Sequence, residues 1–517
     1  MKKIIFIVVV FVCISFESAA QNDTNVGNTV SVVKEKPKIK YNNMIFGQFI
    51  EFFDNQIYGG IYDPKSKFSD NEGFRKDVIE AMKEIHVPIV RWPGGCFVST
   101  YHWMDGIGKE RVSTYDKAWQ VENTNAFGTD EYIKWCHKVG CQPYICTNAG
   151  TGTSEEMSNW MEYCNLSVGK YGKMRASNGY PEPYNVKYWS IGNENYGSWE
   201  LGAHTVNDWG PMVCESAKLL RSVTKDAKLF AAATSDKNWT IPLLKAAGRQ
   251  LDYISLHGYW DALAHYNNPS SFVECMQRTD APEQDIQKAI KLLDESGYGN
   301  GKIKIAYDEW NLRGWHHPWH GDLRQGFDIQ ARRKNDIAST YTMADALFSA
   351  CFLNACLRHS DIVDIACFSP IVNTRGAIFV HPDGIVKRTT FYTFYMYTNF
   401  LEKYIVPVNT ETDALQLGNR STGVFDIILT TNEKNTRYVC AVVNKDAMKD
   451  VDLKINFETF KKASPKKIKA EILSGKSADD FNDIGAENRV VPFEKILSVK
   501  NSVVSIPAHS LTFLIIE

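Results

Sequence analysis

The stretch Lys187-Tyr188-Trp189-Ser190-Ile191-Gly192-Asn193-Glu194 decides the fold. A short, mostly apolar run breaks off at a glycine and is followed at once by two polar side chains, which is how a strand covered on both faces ends at the mouth of a parallel sheet. The same order recurs along the chain. Ile45 to Glu51, Val87 to Trp92, Pro143 to Thr147, Leu229 to Ala233, Tyr253 to His257, Ile303 to Tyr307 and Ile365 to Ser369 read as further strands, making eight with Lys187 to Ile191. Amphipathic stretches lie between them, among them Asn71 to Ile85, Thr129 to Val139, Asp208 to Val223 and Asp285 to Asp294, and an aromatic helix from Thr389 to Leu401 closes the series. Eight such repeats over residues 45–402 predict an α/β fold, a (β/α)8 TIM barrel. Periodicity alone also admits an open, doubly wound sheet. The turn after the first strand, however, lacks the GxGxxG pattern that a dinucleotide-binding sheet needs.

Beyond the aromatic helix the texture changes. Val424 to Thr431, Arg437 to Asn444, Val451 to Phe457, Ile468 to Leu473 and Ser502 to Ile516 are short β-branched segments between polar turns, so residues 403–517 predict an all-β sandwich. The extended segment from Val30 to Lys40, within residues 21–44, is expected to join it. At the other end, Lys2 and Lys3, the apolar run from Ile4 to Phe16 and Ser18-Ala19-Ala20 read as an export signal over residues 1–20. That run is shorter than the roughly 20 apolar residues a membrane span requires. The expectation is therefore a periplasmic or secreted protein with no stable membrane insertion after cleavage.

Cleavage there leaves eleven of the twelve cysteines, an odd number, so at least one thiol stays free. No cysteine or histidine spacing suits a zinc site, and no cofactor is expected. With 58 basic and 60 acidic residues and no basic stripe, nucleic acid is an unexpected partner.

In a (β/α)8 barrel the chemistry sits where the strands end. Glu51, Arg91, Asn148, Asn193, Glu194, His257, Tyr259, Asp308 and Glu309 all fall there. Glu194 after strand four and Glu309 after strand seven face each other across the mouth. Two carboxylates flanking one sugar, with no metal, are what glycosidic bond cleavage requires: one protonates the departing oxygen while the other supports the oxocarbenium-like transition state. A single strand-end glutamate is more often a salt-bridge or capping residue; it is the pair that points to chemistry.

Gly192-Asn193-Glu194 and Asp308-Glu309-Trp310 resemble the acid/base and nucleophile motifs of the retaining (β/α)8 glycosidases. Further stretches narrow the likeness to glycoside hydrolase family 51, the α-L-arabinofuranosidases. These are Gly47-Gln48-Phe49-Ile50-Glu51, Arg91-Trp92-Pro93-Gly94-Gly95-Cys96-Phe97, Trp119 with Glu122-Asn123, Phe127-Gly128-Thr129-Asp130-Glu131, and Ser505 to Ile516. The resemblance implies Glu309 as nucleophile, kept ionised by Arg91, and Glu194 as acid/base, protonated at the outset. It gives Asn193 to the sugar 2-hydroxyl, and Glu51, the main chain at Cys96 and Tyr259 to the other sugar oxygens. Trp119 would wall the pocket, His257 would stand behind it, and Trp315 in the run Trp315-His316-His317-Pro318-Trp319-His320 would line an outer subsite.

The implied substrate is an arabinose-containing polysaccharide or oligosaccharide, trimmed from its ends, and the resemblance leaves room for a homo-oligomer. Two features depart from the family. Phe368 to Asn373 lacks the glutamine common near the end of strand eight, and Asn311-Leu312-Arg313-Gly314 replaces a tyrosine-bearing continuation of strand seven. The rival readings are another retaining glycosidase, such as a β-xylosidase or an endoglucanase, and a carbohydrate-binding protein without turnover.

Overall fold

The computed structural model describes residues 27–263, 268–314 and 336–517. The export signal expected at residues 1–20 lies outside them, as does Trp315. Eight parallel strands close into a barrel: β1 (Gly47–Phe49), β2 (Ile89–Trp92), β3 (Gln142–Thr147), β4 (Tyr188–Ile191), β5 (Lys228–Ala232), β6 (Tyr253–Asp261), β7 (Lys304–Arg313) and β8 (Val363–Phe368). Each pairs with its neighbours in chain order, and β8 returns to β1 through Cys367 opposite Gly47. The (β/α)8 expectation holds, and the open sheet is excluded by this closure.

The barrel interior is filled rather than hollow, because inward positions carry large rings. Phe230 stacks on Tyr253 with centroids 4.3 Å apart, and Tyr144 leans on Phe230 at 4.6 Å. These aromatics form the floor on which the polar mouth rests.

Strands β6 and β7 run further than the sequence pattern indicates, through Asp261 and Arg313. His257 pairs with Glu309, Tyr259 with Asn311 and Asp261 with Arg313. Arg313 bonds Asp261 at 2.5 Å and Asp345 at 2.8 Å, so charges that would otherwise end the strands are neutralised in place. The polar residues Asp308 to Asn311 are thus part of a strand, not of the loop after it.

The C-terminal part is two β-sheets face to face. In the seven-stranded sheet, Tyr438–Asn444 lies between Phe425–Thr431 and Ser510–Ile516; the four-stranded sheet includes Thr29–Val32, and the other N-terminal strand, Ile39–Lys40, sits at the edge of the larger sheet. The period-two alternation of a strand explains how this layer serves both neighbours. Cys440 and Val442 pack into the sandwich, while Val439, Ala441 and Val443 pack toward the barrel. Ser502 to Ile516 is two strands rather than one, Val503–Ile506 and Ser510–Ile516, separated at Pro507 to His509. Helix Met343–Arg358, buried along nearly its whole length, joins the two parts, with Asn354 and Arg358 both donating to Asp426 at 2.8 Å.

All eleven described cysteines are free thiols. Among the described residues no helix is long and apolar enough to cross a membrane.

Candidate active site

Consecutive residues of a strand normally point to opposite faces. Between Tyr307 and Trp310, β7 carries one residue more than β8, and between Ala306 and Glu309 one more than β6. This bulge lets Asp308 and Glu309 both turn toward the barrel axis. Trp310 goes the other way and stacks on Phe352 at 3.8 Å, so it belongs to the helix layer and not to the site beside Asn193 and Glu194.

Arg91, fully buried on β2, is the common partner. Its Nε lies 3.3 Å from Asp308 Oδ2, one terminal nitrogen 3.1 Å from Glu309 Oε2, and the other donates to Asn193 Oδ1 at 2.7 Å. Asp308 also accepts from Tyr144 and Ser255, each at 2.6 Å. Burial works against its charge, yet Arg91, His257 and Ser255 outweigh burial and hold its pKa down to about 2.

Glu194 sits just past β4, where the chain turns through left-handed backbone at Gly192 (φ 73°) and at Glu194 itself (φ 45°). A side chain at Gly192 would run into the Asn195 amide oxygen at 2.0 Å, so glycine is required. The bend aims the Glu194 carboxyl inward. Glu194 Oε1 lies 2.8 Å from His257 Nδ1, and Oε2 accepts from the Trp199 indole at 2.7 Å. Carboxylate oxygens of Glu194 and Glu309 and a ring nitrogen of His257 all fall within 4.8 Å of one another.

His257, placed by the sequence behind the site, therefore stands between the two carboxylates, with Nδ1 3.4 Å from Glu309 and Nε2 3.5 Å from Asp308. Burial disfavours its charge, but the negative Glu309 and the contacts with Asp308 and Glu194 win and push its pKa up to about 10. The imidazole is cationic at neutral pH. For Glu194, burial raises the pKa, but hydrogen bonds from His257 and Trp199 and the positive charges of His257 and Arg91 leave it below the ordinary carboxyl value.

The Tyr259 hydroxyl donates to Glu309 Oε1 at 2.5 Å, with Ser369 Oγ at 2.9 Å and Arg375 at 3.3 Å. Ser369 and Arg375, both beyond β8, hold the same hydroxyl.

Glu51 lies opposite. Its Oε1 accepts from the Phe97 amide at 3.1 Å and the Trp119 indole at 2.8 Å. The approach of the loop after β2 needs Gly95, because a Cβ there would fall 2.4 Å from the Glu51 carboxylate. Trp119, buried, fixes Glu51 through its indole. Burial and the charge of Glu309 raise Glu51 to a pKa of about 8. It is a neutral acid at pH 7, able to donate as well as accept. The Asn193 amide nitrogen is buried and makes no close hydrogen bond, with the Glu200 carboxyl facing it.

Among the described residues, two groups have the donor spacing of a metal site: Glu194, His257 and Glu309, and Cys96, Glu194 and Glu200. In the first, His257 Nδ1 lies 2.8 Å from Glu194 and 3.4 Å from Glu309. In the second, burial and the charges of Glu200 and Glu194 push the Cys96 thiol well above its ordinary value, so it is not a thiolate at neutral pH. Glu200, six residues past Glu194, carried no motif by which the sequence could have singled it out.

A closed barrel whose mouth holds two glutamates this close, one fixed by arginine and tyrosine, the other by histidine and tryptophan, defines a glycoside hydrolase. Comparison with known proteins gives the particular kind. Residues 81–284 match the α-L-arabinofuranosidase 1 domain and residues 308–510 the α-L-arabinofuranosidase C-terminal domain. The chain is 33% identical to α-L-arabinofuranosidase C of Emericella nidulans, over 83% of this chain and 86% of that one. It is 31% identical to an intracellular exo-α-(1→5)-L-arabinofuranosidase of Acetivibrio thermocellus, over 82% and 86%. The arabinose complex of the Thermotoga maritima α-L-arabinofuranosidase superposes with a TM-score of 0.82 at 30% identity, over 95% of this chain and all of that one. The chain belongs to the α-L-arabinofuranosidases of glycoside hydrolase family 51.

Proposed function

We propose that this enzyme releases terminal α-L-arabinofuranosyl groups from arabinan, arabinoxylan or their oligosaccharides by double displacement, with Glu309 as nucleophile and Glu194 as acid/base. The observation that carries this reading is the approach of the Glu194 and Glu309 carboxylates to within 4.8 Å. That spacing suits direct attack on the anomeric carbon, whereas inversion needs about 6.5–9.5 Å to admit a water between carboxyl and sugar.

Glu309, held by Arg91 and Tyr259, attacks as a carboxylate to give the arabinosyl ester. Glu194 gives a proton to the departing oxygen, then takes one from the water that opens the ester. As Glu309 loses its charge in the ester, the chief cause of the raised His257 pKa goes with it, so the imidazolium proton is held less tightly in the second step. Asn193, tied to Arg91 through its oxygen, leaves its amide nitrogen for the 2-hydroxyl. Neutral Glu51 serves the far side of the ring.

Substrate entering this pocket by its non-reducing end gives exo action. Export to the periplasm or medium is part of the same proposal and is supported by the pattern of residues 1–20; N-terminal sequencing of the mature protein checks it. The chemistry is tested by NMR on an aryl α-L-arabinofuranoside in water containing methanol. The first product formed should be the methyl α-L-furanoside. Initial formation of the β-anomer, or faster turnover of an aryl β-xyloside, would overturn the reading.

A further inference from the structure

Glu200 is a buried carboxyl that the mechanism above does not use. The loop after β4 folds back on itself, with the Gly197 amide donating to the Glu194 carbonyl at 2.7 Å and the Glu200 amide to the Gly197 carbonyl at 3.1 Å. This returns Glu200 to the side of Glu194, where it is only 4% exposed. Oxygens of the two carboxyls and the Cys96 sulfur lie within 4.8 Å of one another. Glu200 Oε1 accepts from Ser99 Oγ at 2.5 Å, and the Cys96 thiol and the Asn193 amide also face its carboxyl. Among the described residues no arginine, lysine or histidine forms an ion pair with it.

Two carboxyls this close, one buried and the other half-buried, with only one of them bonded to a cation, do not both ionise readily, and they titrate as a unit. We propose that Glu200 is the positioning residue of the acid/base: it and Glu194 keep one proton between them, so that when Glu194 carries it, Glu200 carries the charge that resists its loss. The step moves a proton from one carboxyl to the other and needs no further reactant. Glu194 faces His257, Glu309, Arg91, Trp199 and Cys96, and Glu200 faces Cys96, Ser99 and Asn193. Burial and the charge of Glu194 raise Glu200 to a pKa of about 7, which agrees with a shared proton at working pH.

This rests on Glu194 being the acid/base, and the test separates the two claims. The pH profile of kcat/KM is measured for wild type, Glu200→Gln and Glu200→Asp, on an aryl arabinofuranoside with a poor leaving group and on the 2,4-dinitrophenyl compound. In Glu200→Gln the alkaline limb for the poor leaving group should move to lower pH by about one unit, roughly a tenfold loss on that side, while the dinitrophenyl rate stays within about twofold, since its departure needs no proton. Glu200→Asp, which keeps a charge one methylene further away, should fall between. An unmoved limb in both variants, or an equal loss on both substrates, overturns the proposal. If Glu194→Ala forms no arabinosyl azide with added azide, it is instead the acid/base reading that fails.

Discussion

Asp308 and Glu309 are consecutive residues of one strand, yet both carboxylates contact Arg91, at 3.3 and 3.1 Å. Only the bulge in β7 permits this, and it gives the two carboxylates different work. Asp308, wholly buried and bonded to Tyr144 and Ser255, fixes the guanidinium; Glu309, at the rim, faces the site. Asp308→Asn should leave Arg91 with one anionic partner fewer in a dry setting. A loss of about 3 kcal/mol in stability is expected, at the lower end for breaking a buried pair, because Glu309 remains. Chemical unfolding monitored with kcat should show the two falling together.

Removing the carboxylates themselves separates their roles. Glu309→Ala should abolish turnover of every substrate. Glu194→Ala should retain activity only toward substrates with very good leaving groups, and azide should accelerate it by yielding the arabinosyl azide of retained configuration, because the base is no longer needed for that nucleophile. Mass spectrometry and NMR of the azide product decide the assignment; identical behaviour of the two variants would contradict it.

Tyr259→Phe deletes a single hydrogen bond to the nucleophile. Hydrogen bonds to charged groups contribute about 1.5–3 kcal/mol, so kcat/KM should fall roughly ten- to a hundredfold with little change in the unfolding midpoint. Ser369 and Arg375 lose a neighbour but remain next to each other, and the floor below is untouched.

The sequence made the barrel legible because each strand is a short apolar run closed by a polar residue, a pattern that survives without any knowledge of neighbours. Glu51, Arg91, Asn193, Glu194 and Glu309 were found by that rule, and the structure brings all five together. The bulge in β7 could not be read in the same way, since an extra residue exists only relative to the registers of β6 and β8. Its consequences were missed with it: the outward turn of Trp310, the inward turn of Asp308, and the continuation of pairing to Arg313. Glu200 was invisible for another reason. A glutamate in a polar loop reads as solvated, and only two successive tight turns bury it.

Gly95 offers a steric test of the pocket. A methyl group there would lie 2.4 Å from the Glu51 oxygens, so Gly95→Ala must push that carboxyl off the Phe97 amide and the Trp119 indole. Because Glu51 is assigned to binding rather than to bond breaking, KM for aryl arabinofuranosides should rise about tenfold or more, the equivalent of one hydrogen bond to a polar partner, with a smaller change in kcat. A fall confined to kcat would mean that Glu51 acts on the reacting centre.

The pH dependence of stability carries a definite sign. Glu51 is raised to about 8 from an ordinary 4.5, and His257 to about 10 from 6.5, so in both cases the folded protein binds the proton more tightly than the unfolded chain. Such a group's stabilisation is complete below its unfolded pKa and is lost as pH rises through the folded one. Stability should therefore decline from about pH 4.5 to 8, where Glu51 ionises in the unfolded chain but stays neutral in the folded one, and decline further toward pH 10, where His257 keeps its proton only in the folded protein. Glu51→Gln, which cannot ionise, should flatten the lower part of that decline and leave the upper part in place. Thermal unfolding midpoints of both proteins across this range test it: parallel curves throughout would mean that the Glu51 carboxyl is not held neutral by the fold, whereas curves that converge at acid pH and draw apart between about pH 4.5 and 8, with the variant the more stable, are the expected result.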